Sequence, residues 1–147
     1  ALKGHTGAVR SVNFSQDSKH LITASDDKTA KIWSLPSRKF STSLVGHSNW
    51  VRCADFDSTA KLAVTGSDDK TVKLWDVASH QALHTFYDHN DTVNCVQFHT
   101  DGSCIASGSA DKTIKMWDIR SHQLIQHYGA HTEGVTSISM HPSGYYM

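Results

Sequence analysis

Residue types that could carry out hydrolysis recur three times along this sequence. Each set has a histidine, a serine or threonine 18 residues later, and an aspartate 22 residues after the histidine. The sets are His5, Thr23 and Asp27; His47, Thr65 and Asp69; and His89, Ser107 and Asp111. In hydrolases these residue types serve as nucleophile, base and orienting carboxylate. The residue types alone therefore allow an acyl-transfer site.

The regular recurrence of the sets favours a structural role over a catalytic one. A tryptophan follows each aspartate after six residues, at Trp33, Trp75 and Trp117. An active site needs one exposed nucleophile and an oxyanion hole. Three identical triads in a chain of 147 residues would be very improbable. We therefore expect the protein not to be an enzyme.

The histidines and cysteines indicate neither a metal site nor a disulfide framework. No repeat collects three His or Cys ligands, as a zinc site would require. The cysteines, Cys53, Cys95 and Cys104, form no CxxC pair. Cys53 and Cys95 stand where other copies have Ser11 and Ser137, which indicates small buried residues. We expect no cofactor, no metal and a reducing compartment.

The overall composition argues against two classes of partner. The sequence has 14 Lys and Arg against 14 Asp and Glu, so its formal net charge is zero. Nucleic-acid-binding proteins usually carry a basic excess that neutralises phosphates. No apolar run approaches the roughly 18 residues of a membrane-spanning helix, and no signal peptide is recognisable. We therefore predict neither nucleic acid nor membrane as a partner.

The elements that must position the three sets follow from a period of 42 residues. Histidines from His5 to His131 succeed one another at this interval, which is typical of a four-stranded propeller blade. In the second repeat, alternating or small apolar residues predict strands at 50–56, 62–67, 71–77 and 81–86. The same pattern fits 8–44 and 92–128, and 134–147 predicts one strand and the start of another.

The sequence resembles the WD40 repeat family. The resemblance is carried by "GH" at 4–5 and 46–47, "WD" at 75–76 and 117–118, and the phrases "SDDKTVKLWDV" (67–77) and "SADKTIKMWDI" (109–119). It implies an all-β propeller with three complete four-stranded blades and the start of a fourth. The repeats are about 4–45, 46–87, 88–129 and an incomplete 130–147. Because a propeller closes on itself, we expect this segment to belong to a longer, seven-bladed one.

The family resemblance also implies a hydrogen-bonded tetrad in every blade. Each tetrad joins one of the three sets to its tryptophan, so the members are His5, Thr23, Asp27 and Trp33; His47, Thr65, Asp69 and Trp75; and His89, Ser107, Asp111 and Trp117. A buried indole N–H, hydroxyl or imidazole costs roughly 1–3 kcal/mol when it is unpaired. A closed chain of partners avoids that cost.

Partners of the family often bind the face where the histidine loops and aspartate turns emerge. The candidate partner-binding residues there are Arg10, Asp26, Trp50, Arg52, Asp68 and Asn94. Trp and Arg dominate the hot spots of protein interfaces. The alternative is structural: Trp50 covers a blade junction, and Arg52 pairs with Asp26 or Asp68.

A narrower resemblance is to the WD40 proteins of centrioles and basal bodies. It is carried by "TASDDKTAKIW" (23–33), "HSNWVRCADF" (47–56), "HQLIQHYGAH" (122–131) and "HPSGYYM" (141–147). It implies a scaffold in the cytoplasm and cytoskeleton that binds tubulin, microtubules or other centriole or ciliary proteins. The alternative is a WD40 adaptor in another complex, such as a ubiquitin-ligase receptor, a chromatin reader or an RNA-processing subunit.

Overall fold

Strands form where β-branched and alternating apolar residues lie between turns rich in Asp, Ser, Lys and Gly. The computed structural model describes residues 2–129 and 131–144. The described residues form twelve strands: β1 Val9–Phe14, β2 His20–Ser25, β3 Thr29–Ser34, β4 Lys39–Val45, β5 Val51–Phe56, β6 Leu62–Ser67, β7 Val72–Asp76, β8 Ala82–Phe86, β9 Val93–Phe98, β10 Cys104–Ser109, β11 Ile114–Asp118 and β12 Leu124–Tyr128. The predicted strands of the second repeat are confirmed to within a residue at each end.

The strands form three antiparallel sheets of four, each a meander in chain order. The sheets, which we call blades one (β1–β4), two (β5–β8) and three (β9–β12), confirm the predicted all-β blade architecture. No helix among the described residues is long and apolar enough to cross a membrane.

The hydrophobic core lies between successive blades. One cluster packs Ile22 and Leu44 of blade one against Val51 and Trp75 of blade two. A second cluster joins blade two to blade three in the same way, with Phe86 and Trp117 in contact. On blade one, Val9 and Phe14 are exposed, because no described sheet packs against that face. Each blade therefore needs a neighbour to bury its apolar face.

The expected strands after residue 130 are not found, and this prediction was wrong for the described part of the segment. Residues 131–144 contain no strand, because no described strand lies alongside to complete a ladder. The segment still follows blade three: Val135 is buried and its N–H donates to the Ser109 carbonyl at 2.9 Å. Residues 130 and 145–147 of the predicted fourth repeat lie outside the described residues.

A buried carboxylate lies at the junction of blades two and three. Asp55 of β5 accepts a hydrogen bond from the backbone N–H of Phe98 at 3.1 Å. One period away on either side, the corresponding residues are amides: Asn13 donates to the Ala54 carbonyl, and Gln97 accepts from the Met140 N–H. Burial raises the pKa of Asp55 to about 6. Ionised Asp55 therefore costs stability that an amide would not.

We expect Asp55→Asn to stabilise the protein at neutral pH by about 1–3 kcal/mol. Because the folded pKa is raised above its ordinary value of 3.8, the cost is absent below that value and complete above about 6. Urea unfolding of wild type and variant between pH 4 and 7 measures the difference. The gain should grow as the pH rises; a gain that is constant with pH would contradict this assignment.

Candidate functional site

The tetrad of blade two forms a continuous chain of hydrogen bonds. The indole N–H of Trp75 donates to Thr65 Oγ1 at 2.8 Å, and the Thr65 hydroxyl lies 2.7 Å from His47 Nε2. His47 Nδ1 lies 2.7 Å from Asp69 Oδ2. The network is satisfied when Nδ1–H of a neutral His47 donates to the carboxylate and Nε2 accepts from threonine. The same contacts recur in blades one and three at 2.7–2.9 Å.

This geometry leaves no nucleophile for hydrolysis. Thr65 and Ser107 are both 0% exposed. Each of these hydroxyl oxygens contacts a tryptophan N–H and a histidine nitrogen, and no substrate can reach it. The tetrads therefore hold blades together rather than carry out chemistry.

Each tetrad aspartate fastens a loop to a turn. Asp69 Oδ2 accepts the Ser48 N–H at 3.1 Å, and Oδ1 accepts the N–H and hydroxyl of Thr71 at 3.0 and 2.6 Å. Burial alone would raise the pKa of Asp69, but hydrogen bonds from His47 and Thr71 outweigh it and hold the pKa well below its ordinary range. The same opposition lowers the pKa of Asp27 to about 2. The ionised carboxylate thus fixes the loop that carries Trp50.

The residues after that loop lie on β-bulges of the innermost strands. In β5, Val51 pairs with Ser67 and Cys53 pairs with Gly66, so Arg52 is the extra residue. Bulges re-aim side chains and are frequent beside functional sites. Corresponding bulges occur at Arg10 in β1 and at Asn94 in β9. The inner strand of every blade therefore points one unpaired position toward the same face.

Five of the six candidate partner-binding residues come together on this face. Arg52 contacts Asp68 through Nε and Nη2 at 2.5 and 2.9 Å, and Arg10 contacts Asp26 in the same way at 2.8 and 2.5 Å. The guanidinium carbons of Arg10 and Arg52 lie 5.6 and 5.3 Å from the centre of the Trp50 ring. We call Arg10, Asp26, Trp50, Arg52 and Asp68 the Arg–Trp–Arg cluster.

The charges of the cluster are stable across the physiological pH range. The hydrogen bond from Arg10 lowers the pKa of Asp26, and hydrogen bonds to their carboxylates raise the pKa of Arg10 and of Arg52. Such two-point Arg–carboxylate pairs also fix the orientation of the guanidinium planes. Of the two partners considered for Arg52 in the sequence, the structure selects Asp68.

The sixth candidate, Asn94, is not part of the cluster. Its side-chain amide donates to the Val135 carbonyl at 2.8 Å, so it joins blade three to the following segment. Blade three has Thr92 and Ala110 where blade two has Trp50 and Asp68. The tetrads repeat in all three blades, whereas the cluster spans only blades one and two. A feature that departs from the repeat is a better candidate for a specific function.

Other reactive residue types are arranged structurally. No group of three or more His, Cys, Asp or Glu side chains that could hold a metal occurs within residues 2–129 and 131–144. Burial raises the pKa of the Cys53 thiol, and raises that of Cys95 to about 11. One contact was missed by the sequence pattern: His84 and His122 stack at 4.2 Å between blades two and three. Their separation of 38 residues lies off the period, so no spacing signals it.

Comparison with known structures identifies the fold. The chain is similar to two solved structures described as the RRP9 WD40 repeats and U3-55K, with 25% and 24% identity and a TM-score of 0.86 for each. Each match covers 90% of this chain and 42% of the other, so this chain spans less than half the length of these neighbours. Because 1320 chains of known structure match, the likeness identifies an architecture rather than a partner.

Comparison with family models gives the assignment. The model described as "WD domain, G-beta repeat" matches four successive segments, residues 1–34, 38–76, 80–118 and 122–147. These segments cover most of the sequence and contain all three tetrads. Proteins built from this repeat are non-catalytic. The chain therefore belongs to the WD40 repeat family.

Proposed function

We propose that this chain is part of a propeller scaffold that docks a partner protein onto the Arg–Trp–Arg cluster. The observation that carries the proposal is Trp50, which is 40% exposed while it lies between two carboxylate-held guanidinium groups. Tryptophan and arginine are the residue types most enriched in interface hot spots. The complete propeller that we envisage has seven blades.

The cluster is held in place before any partner arrives. The Trp50 carbonyl accepts hydrogen bonds from the Ser67 hydroxyl at 2.7 Å and from the Asp68 N–H at 2.9 Å. Both arginines are fixed by two-point carboxylate pairs. Preorganised side chains lose less conformational entropy on binding. This rigidity supports docking more than a mere covering of the blade junction.

Two kinds of complex are proposed for the scaffold. The first is an adaptor role in a multiprotein assembly, such as an RNA-processing complex, which the likeness to RRP9 and U3-55K supports. The second is a structural role in the centriole or basal body, with tubulin or neighbouring wall proteins as partners. Segments "HSNWVRCADF" (47–56) and "HQLIQHYGAH" (122–131) support the second proposal.

The docking proposal is tested by Trp50→Ala in the full-length protein. We expect the variant to lose at least about tenfold of its captured partners, as hot-spot truncations do, while its thermal stability stays at the wild-type value. Affinity purification with quantitative mass spectrometry measures the loss. Tyr87→Ala, which removes another exposed aromatic side chain outside the cluster, is the matched control and should retain the partners.

The outcome also separates the two proposed complexes. Co-sedimentation of the purified protein with stabilised microtubules, lost in Trp50→Ala, supports the centriolar scaffold. Recovery of RNA-processing proteins by wild type and not by Trp50→Ala supports the adaptor. Equal capture of every partner by wild type and variant would refute docking through the cluster.

A further inference from the structure

We infer that the Arg–Trp–Arg cluster recognises an acidic peptide segment of its partner through that segment's carboxylates. The inference rests on the proposed function, because it specifies the chemistry of the same surface. It is carried by the hydrogen-bonding groups that the cluster leaves free and by the direction in which its charges are exposed.

The free polar groups of the cluster are donors. A guanidinium has five N–H groups and no acceptor. Asp26 and Asp68 each engage the Nε and Nη2 atoms of their arginine, which leaves N–H groups on both Arg10 and Arg52. Within the described part of the chain, the Trp50 indole N–H has no acceptor at hydrogen-bonding distance. A partner must therefore supply acceptors.

The exposed charge of the cluster is positive although its carboxylates balance its guanidiniums in number. The Arg10 and Arg52 side chains are 40% and 30% exposed, whereas those of Asp26 and Asp68 are 13% and 14% exposed. The carboxylates lie beneath the arginines and hold them. The acceptor of the adjacent Asn49 side chain is also occupied, by the Trp50 backbone N–H at 2.9 Å. An approaching partner meets cations and an aromatic ring.

A peptide with alternating acidic residues fits this arrangement. Side chains two residues apart on an extended segment lie roughly 7 Å apart on one face. Two such carboxylates could each meet one of the guanidiniums that flank the Trp50 ring, and the intervening backbone could pack on the indole. Carboxylates pair with arginine more strongly than neutral acceptors do. RNA also offers acceptors, but the net charge of the chain is zero, without the basic excess that phosphate binding usually requires.

The inference is tested with a labelled ten-residue peptide of alternating Glu and Ala, added to the full-length protein in a fluorescence anisotropy titration. We expect it to bind at least tenfold more tightly than the same peptide with Gln in place of Glu. Arg10→Gln combined with Arg52→Gln should weaken binding at least tenfold, and so should Trp50→Ala. Circular dichroism melts establish that each variant is folded.

The matched control is Lys39→Gln combined with Lys61→Gln. It removes the same charge from exposed residues at the opposite end of the blades, and it should bind the Glu peptide as wild type does. Equal binding of the Gln peptide, equal loss in the lysine control, or tighter binding of a single-stranded RNA of matched charge would each overturn the inference. If Trp50→Ala releases the partner but the Glu peptide does not bind, docking stands and the acidic-peptide inference falls.

Discussion

Trp75→Ala should lower the free energy of unfolding of the full-length protein by about 3–5 kcal/mol, as truncation of large buried aromatic residues does. Trp75 is 1% exposed and lies in the core between blades one and two. Its ring also packs on the backbone of Gly46, where an added Cβ would lie 3.0 Å from Cη2. The substitution therefore removes core packing, the loop contact and the donor to Thr65. Equilibrium urea unfolding measures the change.

The matched control for this result is Trp50→Ala. Trp50 is the same residue type in the same blade but is largely outside the core, so its loss should change the free energy of unfolding by no more than about 0.5 kcal/mol. A loss below about 1 kcal/mol for Trp75→Ala, or an equal loss for both variants, would contradict the assignment of the tetrad tryptophan as structural.

Thr65→Val should cost roughly 2–5 kcal/mol although it changes the shape of the side chain very little. The Thr65 hydroxyl lies between the indole N–H of Trp75 and Nε2 of His47. Valine leaves both groups buried and unpaired, at roughly 1–3 kcal/mol each. Chemical unfolding at pH 7, where wild type and variant differ only in this hydroxyl, measures the cost.

Thr65→Ser separates the hydroxyl from the methyl group. Serine keeps the hydroxyl, and blade three already uses Ser107 at this position with the same partners. We expect Thr65→Ser to cost about 1 kcal/mol, for one lost buried methyl group. If serine proves as damaging as valine, packing rather than the hydrogen-bond chain would explain the role of this position.

The strands were predictable because their determinants are local. The residues of 62–67 are small or β-branched and lie between turn residues, and they form β6 with the predicted bounds. The segment 131–144 failed for the opposite reason. Its alternation is that of a strand, but a strand also needs a ladder partner, and sequence pattern within the segment carries no information about the partner.

The candidate site was predictable in its residues and not in its geometry. Trp50 and Arg52 stand out by residue type, and a fixed spacing from the tetrads places them on the correct face. The approach of Arg10 to Trp50 depends on the packing of blade one against blade two and on a bulge in β1. Neither is encoded in a period of 42. For the same reason Asn94 could not be separated from the cluster in advance.

The bulges give this propeller segment a position that can be rewritten. Because a bulge residue has no opposite number on the neighbouring strand, exchanging its side chain shifts no strand register and empties no core. Arg10, Arg52 and Asn94 show that the fold accepts different side chains there. A combinatorial library at these three positions would diversify one contiguous recognition face on an unaltered frame. The repeat thus separates the residues that build the molecule from those that give it an address.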